Sequence, residues 1–252
     1  MDPRLRARRV EVRRSEGRRR LRVVLAAAAV VAVLLVLVGV AFSPLLDVDR
    51  FTVAGQFRTD PEDIVAAAGV ERGEPLLTAD LGAAARRIEE LPWVDEATVE
   101  RSWPGTLRYR VVERVPAAAA QGPDGAWVAL DGDGRVLVAL DAAPTDLPVV
   151  EGVTVAPEVG ASAPAEAAGA LALAGAIPES ARPAVDALLV DADGGVTVRL
   201  DSGGVATIGP LEDLEAKGVA LASVIAAVDP CIATLDLTAA GAPLLTRVPG
   251  CG

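Results

Sequence analysis

The chain has 252 residues, 24 of them Lys or Arg and 35 Asp or Glu, for a formal net charge of −11, with two cysteines and no histidine. Without imidazole, Ser-His-Asp and Cys-His catalysis and His-Glu-x-x-His metalloprotease chemistry are excluded, and two cysteines alone do not make a zinc site. The strongly acidic bulk excludes electrostatic nucleic-acid binding.

The first 22 residues form an arginine-dense tail, and residues 23–42 are apolar throughout, with no charge and no proline. A helix over that run is roughly 30 Å long, the hydrocarbon thickness of a bilayer. A buried core helix would carry a polar face, and this run has none. A cleaved signal peptide has an apolar region of only about 7–15 residues, so the weak small-residue site at Gly39-Val40-Ala41 gives way to an uncleaved anchor. Arginines crowd one flank and Asp47 and Asp49 follow the other. This asymmetry predicts a cytoplasmic tail, which would also lie against anionic lipid, and an exported remainder.

Residues 48–53 read as a short strand, ended by Gly55. Thr59-Asp60-Pro61-Glu62 starts a helix in one of two ways: Thr59 caps in a capping box with Glu62, or Asp60 caps with Pro61 in the first helical position. Ile64, Val65 and Ala68 form its apolar face and Gly69 stops it. A second helix follows Gly73-Glu74-Pro75, capped by Thr78 or Asp80, with Leu81, Ala85 and Ile88 on one face and Pro92 closing it. Two alternating runs, residues 94–101 and 106–112, are joined by Ser102-Trp103-Pro104-Gly105. Opposing Val99 to Tyr109 also sets Ala97 against Val111 on the buried face and Glu100 against Arg108 on the wet face. A slip of one residue would oppose Val99 to Arg110 and spoil both. The block reads β-α-α-β-β. Trp93 is expected to cover its helix–sheet core, whereas Trp103, in the turn, suits core cover and partner anchoring equally.

The remainder is β-rich. Strands over residues 127–130 and 136–140 flank Asp131-Gly132-Asp133-Gly134. A calcium loop starting at Asp131 would need Glu at its twelfth position, where Ala142 stands, so a turn is expected. A short apolar segment follows at 147–150, then a helix over 164–177 weakened by Gly169 and Gly175. Strands are expected at 185–190, 196–200 and 205–208, and a helix from Pro210 to about 228 with Leu211, Leu214, Val219 and Leu221 among its apolar positions. A last hairpin pairs 232–238 with 244–248. Lys217 is the only lysine, and Leu214 occupies the serine position of a Ser-x-x-Lys motif, which excludes penicillin-binding catalysis. No Gly-rich phosphate loop occurs. Scattered carboxylates leave open a membrane-anchored envelope enzyme using a carboxylate pair, though nothing singles one out.

The order strand–helix–helix–hairpin and the stretches "FTVAGQFRT", "LPWVDEATVERSWPGTLRYRVVERVPAA" and "ATLDLTAAGAPLLTR" resemble the bacterial cell-division family FtsQ/DivIB. The resemblance is most specific at Trp93-Val94, Trp103-Pro104 and Val112-Glu113-Arg114-Val115-Pro116. It implies an α+β chain: a cytoplasmic tail (1–22), one transmembrane helix (23–42), a polypeptide-transport-associated (POTRA) domain (48–116), a β domain with two helices (117–248) and a short tail (249–252). It also implies a non-enzymatic scaffold of the division machinery at the septum, without cofactor, metal, small-molecule substrate or nucleic acid. Its partners would be FtsB and FtsL, bound by the exported β domain, with the POTRA domain aiding recruitment. An outer-membrane POTRA adaptor is the weaker relative, since such proteins end in a membrane barrel and this chain does not.

Two expectations concern the chain's end. In the family this region receives a strand from FtsB, so Leu244, Leu245, Thr246 and Arg247 are expected to bind it by β-augmentation, with Leu244 or Leu245 packing and Arg247 steering an acidic partner. A turn at 239–242 would pair Thr238 with Pro243 and Cys231 with Gly250, bringing Cys251 within one residue. A Cys231–Cys251 disulfide closing the hairpin is therefore expected.

Overall fold

The structure, a computed structural model, describes residues 3–41, 43–228 and 230–250. Helix α1 runs unbroken over Pro3–Ala41, so the arginine-rich tail continues the helix of the apolar run; arginine is a good helix former. Its apolar stretch, Leu21–Val40, has a mean hydropathy of 3.2 and is not buried by the described residues. Phe42, the last residue of the expected span, lies outside the described residues. The Ser43 N–H and hydroxyl both donate to Val40 O, and a short 3-10 turn at Pro44–Leu46 leads into the first sheet.

That sheet has the order β1-β3-β2, with β1 at Arg50–Ala54, β2 at Val94–Ser102 and β3 at Thr106–Glu113. β1 lies parallel to β3, and the two helices between β1 and β2 form the crossover. Helices α2 (Pro61–Ala68) and α3 (Leu81–Glu89) bury Ile64, Ala68, Ala84 and Ile88 in one cluster with Leu107, Tyr109 and Val111 of β3. Of the two starts open for α2, the chain takes the second: Asp60 Oδ1 accepts the Glu62 N–H at 2.9 Å and Pro61 occupies the first turn. Asp80 caps α3 through the Ala83 N–H at 3.0 Å, and Gly69 ends α2 at φ 63°. With Asp80 as cap, Ala84 and Ile88 fall on the sheet-facing row, so Ala84 and not the expected Ala85 is fully buried.

The β2–β3 register pairs Ala97 with Val111, Val99 with Tyr109 and Glu100 with Arg108, as the alternation requires. Glu100 nevertheless reaches diagonally to Arg110, at 3.0 Å. Both side chains are about half exposed, so this pair contributes little.

The second sheet has nine strands in the order β12-β11-β10-β9-β8-β7-β4-β5-β6. They are β4 (Ala118–Gln121), β5 (Trp127–Leu130), β6 (Val136–Leu140), β7 (Val149–Glu151), β8 (Val185–Val190), β9 (Val196–Leu200), β10 (Val205–Thr207), β11 (Ile232–Asp236) and β12 (Leu244–Arg247). Helices α4 (Ala168–Ala176, after a 3-10 turn) and α5 (Leu214–Val228) share its core with Leu130, Val150, Leu188, Val198 and Leu235. Two features depart from the sequence expectation. β4 was not anticipated: Ala118, Ala119 and Ala120 are all buried, so no polar residue alternates with them and alanine carries little strand preference. α5 begins at Leu214 and not at Pro210, because Asp213 takes a left-handed φ of 52°. Leu211 and Val219 are consequently exposed, and the inward row is Lys217, Gly218, Leu221 and Ile225. At Gly218 a Cβ would stand 2.5 Å from Ala176 O, so only glycine permits this crossing of α4 and α5.

The sheets meet at Arg114, just after β3. Its Nε donates to Val94 O at 3.0 Å and its guanidinium reaches Asp95 (3.2 Å), Asp133 (3.4 Å) and the buried Asp131 (2.7 Å). Asp131 Oδ1 also accepts the N–H groups of Asp133 and Arg135, which builds the β5–β6 turn and engages the carboxylate the calcium reading would have used. Arg135 adds a bond to Glu90 O at 2.6 Å.

Candidate functional site

A strand at the end of a sheet has neighbours on one side and a free row of backbone groups on the other. β12 holds that place, paired only to β11 among the described residues. The ladder pairs Asp236 with Leu244, Leu235 with Leu245 and Thr234 with Thr246. Two hydrogen bonds fix which groups are free. The Val248 N–H donates to Cys231 O at 3.0 Å, so Leu244 and Thr246, on the same parity, face β11. On β11 the Leu237 N–H donates to Thr207 O, so Leu235 faces β10 while Thr234 and Asp236 face β12. Both lines leave the N–H and C=O of Leu245 and Arg247 pointing outward.

The side chains divide the same four residues differently. Leu245 is half-buried and packs on the large core, Leu244 is 72% exposed, and Thr246 and Arg247 are exposed. Arg247 makes no ion pair with a described residue. The site thus offers two outward donors, one exposed leucine and one uncommitted cation.

The expected hairpin register is corrected. Thr238 does not pair with Pro243; the last ladder pair is Asp236 with Leu244, and a shift lies between Ile232 and Thr234. Residues 237 and 238 are drawn off, since the Leu237 N–H goes to β10 and the Asp236 carboxylate accepts the Thr238 N–H at 2.8 Å. The Thr238 hydroxyl and N–H hold the Asp236 carboxyl below its usual range. Cys231 therefore stands by Val248 and not opposite Gly250. Cys231 has no free thiol, and Cys251, its expected partner, lies outside the described residues.

Trp103 belongs to the other sheet, in the β2–β3 turn, and is 54% exposed; it does not join the β12 site. Trp93 sits under the Arg58 guanidinium, 4.6 Å from its ring, and lines the seam between the sheets with Val115, Val138 and Leu147. It therefore covers the seam, whereas core cover was expected.

Sequence reasoning missed Lys217. The side chain is 3% exposed, and its ammonium donates to Ile208 O (2.9 Å) and Pro210 O, tying the loop after β10 to α5. A helical run whose inward face includes a lysine gives no apolar period to find it by.

Residues 46–114 match the family model for the FtsQ-type POTRA domain, and residues 118–238 match that for the C-terminal region of cell division protein FtsQ/DivIB. The second match ends before β12. Curated relatives described as cell division protein FtsQ include one from Corynebacterium glutamicum, 39% identical over 43% of this chain and 50% of that one. Another, from Mycolicibacterium smegmatis, is 32% identical over 79% of this chain and 58% of its own. A third, from Streptomyces griseus, is 30% identical over 81% of this chain and 99% of its own. The chain spans about half the length of the first two relatives.

Proposed function

This chain belongs to the FtsQ/DivIB family of cell-division proteins, and on that premise we propose that it is a non-enzymatic, membrane-anchored scaffold that captures a partner strand along β12. The arginine tail lies in the cytoplasm and both sheets outside, at the septum, as the charge asymmetry about α1 favours. The partner is FtsB, with FtsL in the same complex. The observation that carries this reading is the outward row of Leu245 and Arg247 backbone groups on an end strand. A tenth strand laid there satisfies those groups, covers Leu244 and meets Arg247 with a carboxylate. Binding alone is the mechanism, and it passes assembly signals to septal wall synthesis. The test is affinity capture by the full-length chain from its own membranes. FtsB and FtsL should co-purify with it, and Arg247→Glu should weaken that capture at an unchanged melting temperature. Normal capture by Arg247→Glu, and by a truncation before Pro243 that still folds, would place the interface elsewhere.

A further inference from the structure

The small sheet ends, on the side where the chain leaves α1, in three large apolar side chains from three separate segments. Leu45, in the turn after α1, is 77% exposed; Leu77, in the loop before α3, 47%; and Trp103, in the β2–β3 turn, 54%. Backbone bonds bring their segments together. Leu46 O accepts the Leu76 N–H at 3.0 Å, and Gly105 O accepts the N–H groups of Asp49 and Arg50 at 2.8 and 3.1 Å. Arg101 ties β2 to the same loop through the carbonyls of Leu76 (2.7 Å) and Ala79 (2.6 Å). Single exposed leucines are ordinary, but apolar groups gathered at one end of a domain call for a cover.

The tether says what the cover is. The apolar stretch ends at Val40 and Leu46 is already bonded into the sheet's loop, so only residues 41–45 lie between. Fully extended, that link reaches roughly 20 Å. The 3-10 turn and the Ser43–Val40 bond shorten it further. With α1 in a bilayer, this end of the domain stays at the bilayer surface. We propose that Leu45, Leu77 and Trp103 seat the small sheet in the interfacial layer of the membrane that α1 crosses, with the Trp103 indole at headgroup depth, where tryptophan concentrates. The charges at this end include Asp47, Asp49 and Glu74 with Arg50, Arg72 and Arg101, and Arg101 is engaged by the loop carbonyls, so acid and base balance and no basic patch recruits anionic lipid. The seat is apolar. It would fix the orientation of the domain, and so of the joined β domain, relative to the membrane. It rests on α1 being a span and is independent of what binds β12.

The test uses the full chain reconstituted in phosphatidylcholine vesicles whose acyl chains carry bromine, a quencher of tryptophan emission. Trp93 and Trp127 are half-buried in protein, so the quenched signal should come from Trp103. Wild type should be quenched, and Trp103→Phe should lose that quenching. Leu77→Asp keeps all three tryptophans and should lose most of it by lifting this end from the lipid. Adding phosphatidylglycerol should not increase it. Equal quenching in wild type and Trp103→Phe, or a Trp103 shielded only when FtsB is added, would overturn the proposal. A chain that did not float with the vesicles would overturn the anchor and the seat together, whereas loss of quenching with flotation intact concerns the seat alone.

Discussion

Replacing Arg114 by alanine tests how the two sheets are held. Arg114 is 14% exposed at its side chain and Asp131 6%, at 2.7 Å, so the change strands a buried carboxylate. Breaking a buried pair from one side costs roughly 3–5 kcal/mol. Asp131 keeps the N–H bonds of Asp133 and Arg135, which places the loss at the lower end, about 3 kcal/mol. The bonds to Asp95 and Asp133 involve exposed carboxylates and add little. Urea unfolding of the full chain in mild detergent, with Arg114→Ala, Asp131→Ala and the double variant, isolates the pair as a coupling energy. The coupling should be about 1.5–3 kcal/mol. A coupling below about 0.5 kcal/mol, within the additivity of independent sites, would refute the reasoning.

Three further outcomes are expected. Burial pushes the Glu113 carboxyl up, but the N–H groups of Thr59, Phe57 and Arg58 outweigh it and leave the group below its ordinary value. Its stabilisation is therefore full above the unfolded carboxylate pKa, about 4.3, and is lost as pH falls through the lower folded value. The melting-temperature gap between wild type and Glu113→Gln should be present at pH 7 and close toward pH 3, and a gap independent of pH would contradict this. Lys217→Met leaves the carbonyls of Ile208 and Pro210 without their donor and should cost about 1–3 kcal/mol; in the native wild type, an amine-reactive label should spare Lys217. Protein purified without reductant should show no reactive thiol if Cys231 and Cys251 are joined, and the bond should add up to about 3 kcal/mol by loop entropy; two labelled cysteines per chain would exclude the pairing.

What could be read from the sequence followed where local chemistry and burial agree. The β2–β3 register was legible because one face alternates Ala97, Val99, Tyr109 and Val111 while the other carries charges, so a slip fails on both. β8 and β9 were legible as valine-containing apolar runs on either side of Asp193-Gly194-Gly195. β4 was not legible, because three buried alanines carry neither period nor propensity. The start of α5 is not legible because Pro210 suits a first turn, whereas the left-handed backbone of Asp213 holds the helix back to Leu214. At the site, the four residues of β12 were legible as an end strand, but their facing was not. Which N–H points outward depends on the bonds of Val248 and Leu237 to other strands, and those are set by the assembled sheet.

That facing gives the most direct measurement of the central claim, that a partner strand adds to β12. Arg247→Ala and Arg247→Pro both lack the guanidinium, and the proline alone also lacks the outward N–H. Proline is tolerated on an edge strand where the N–H faces solvent, so the ladder to β11 should survive in both. The measurement is the affinity of each full-length variant for FtsB, alongside its melting temperature. Arg247→Pro should bind about 10-fold more weakly than Arg247→Ala, the 1.4 kcal/mol of an unpaired backbone group, at equal melting temperature. Equal affinities for FtsB in two equally stable variants would contradict strand addition at this edge.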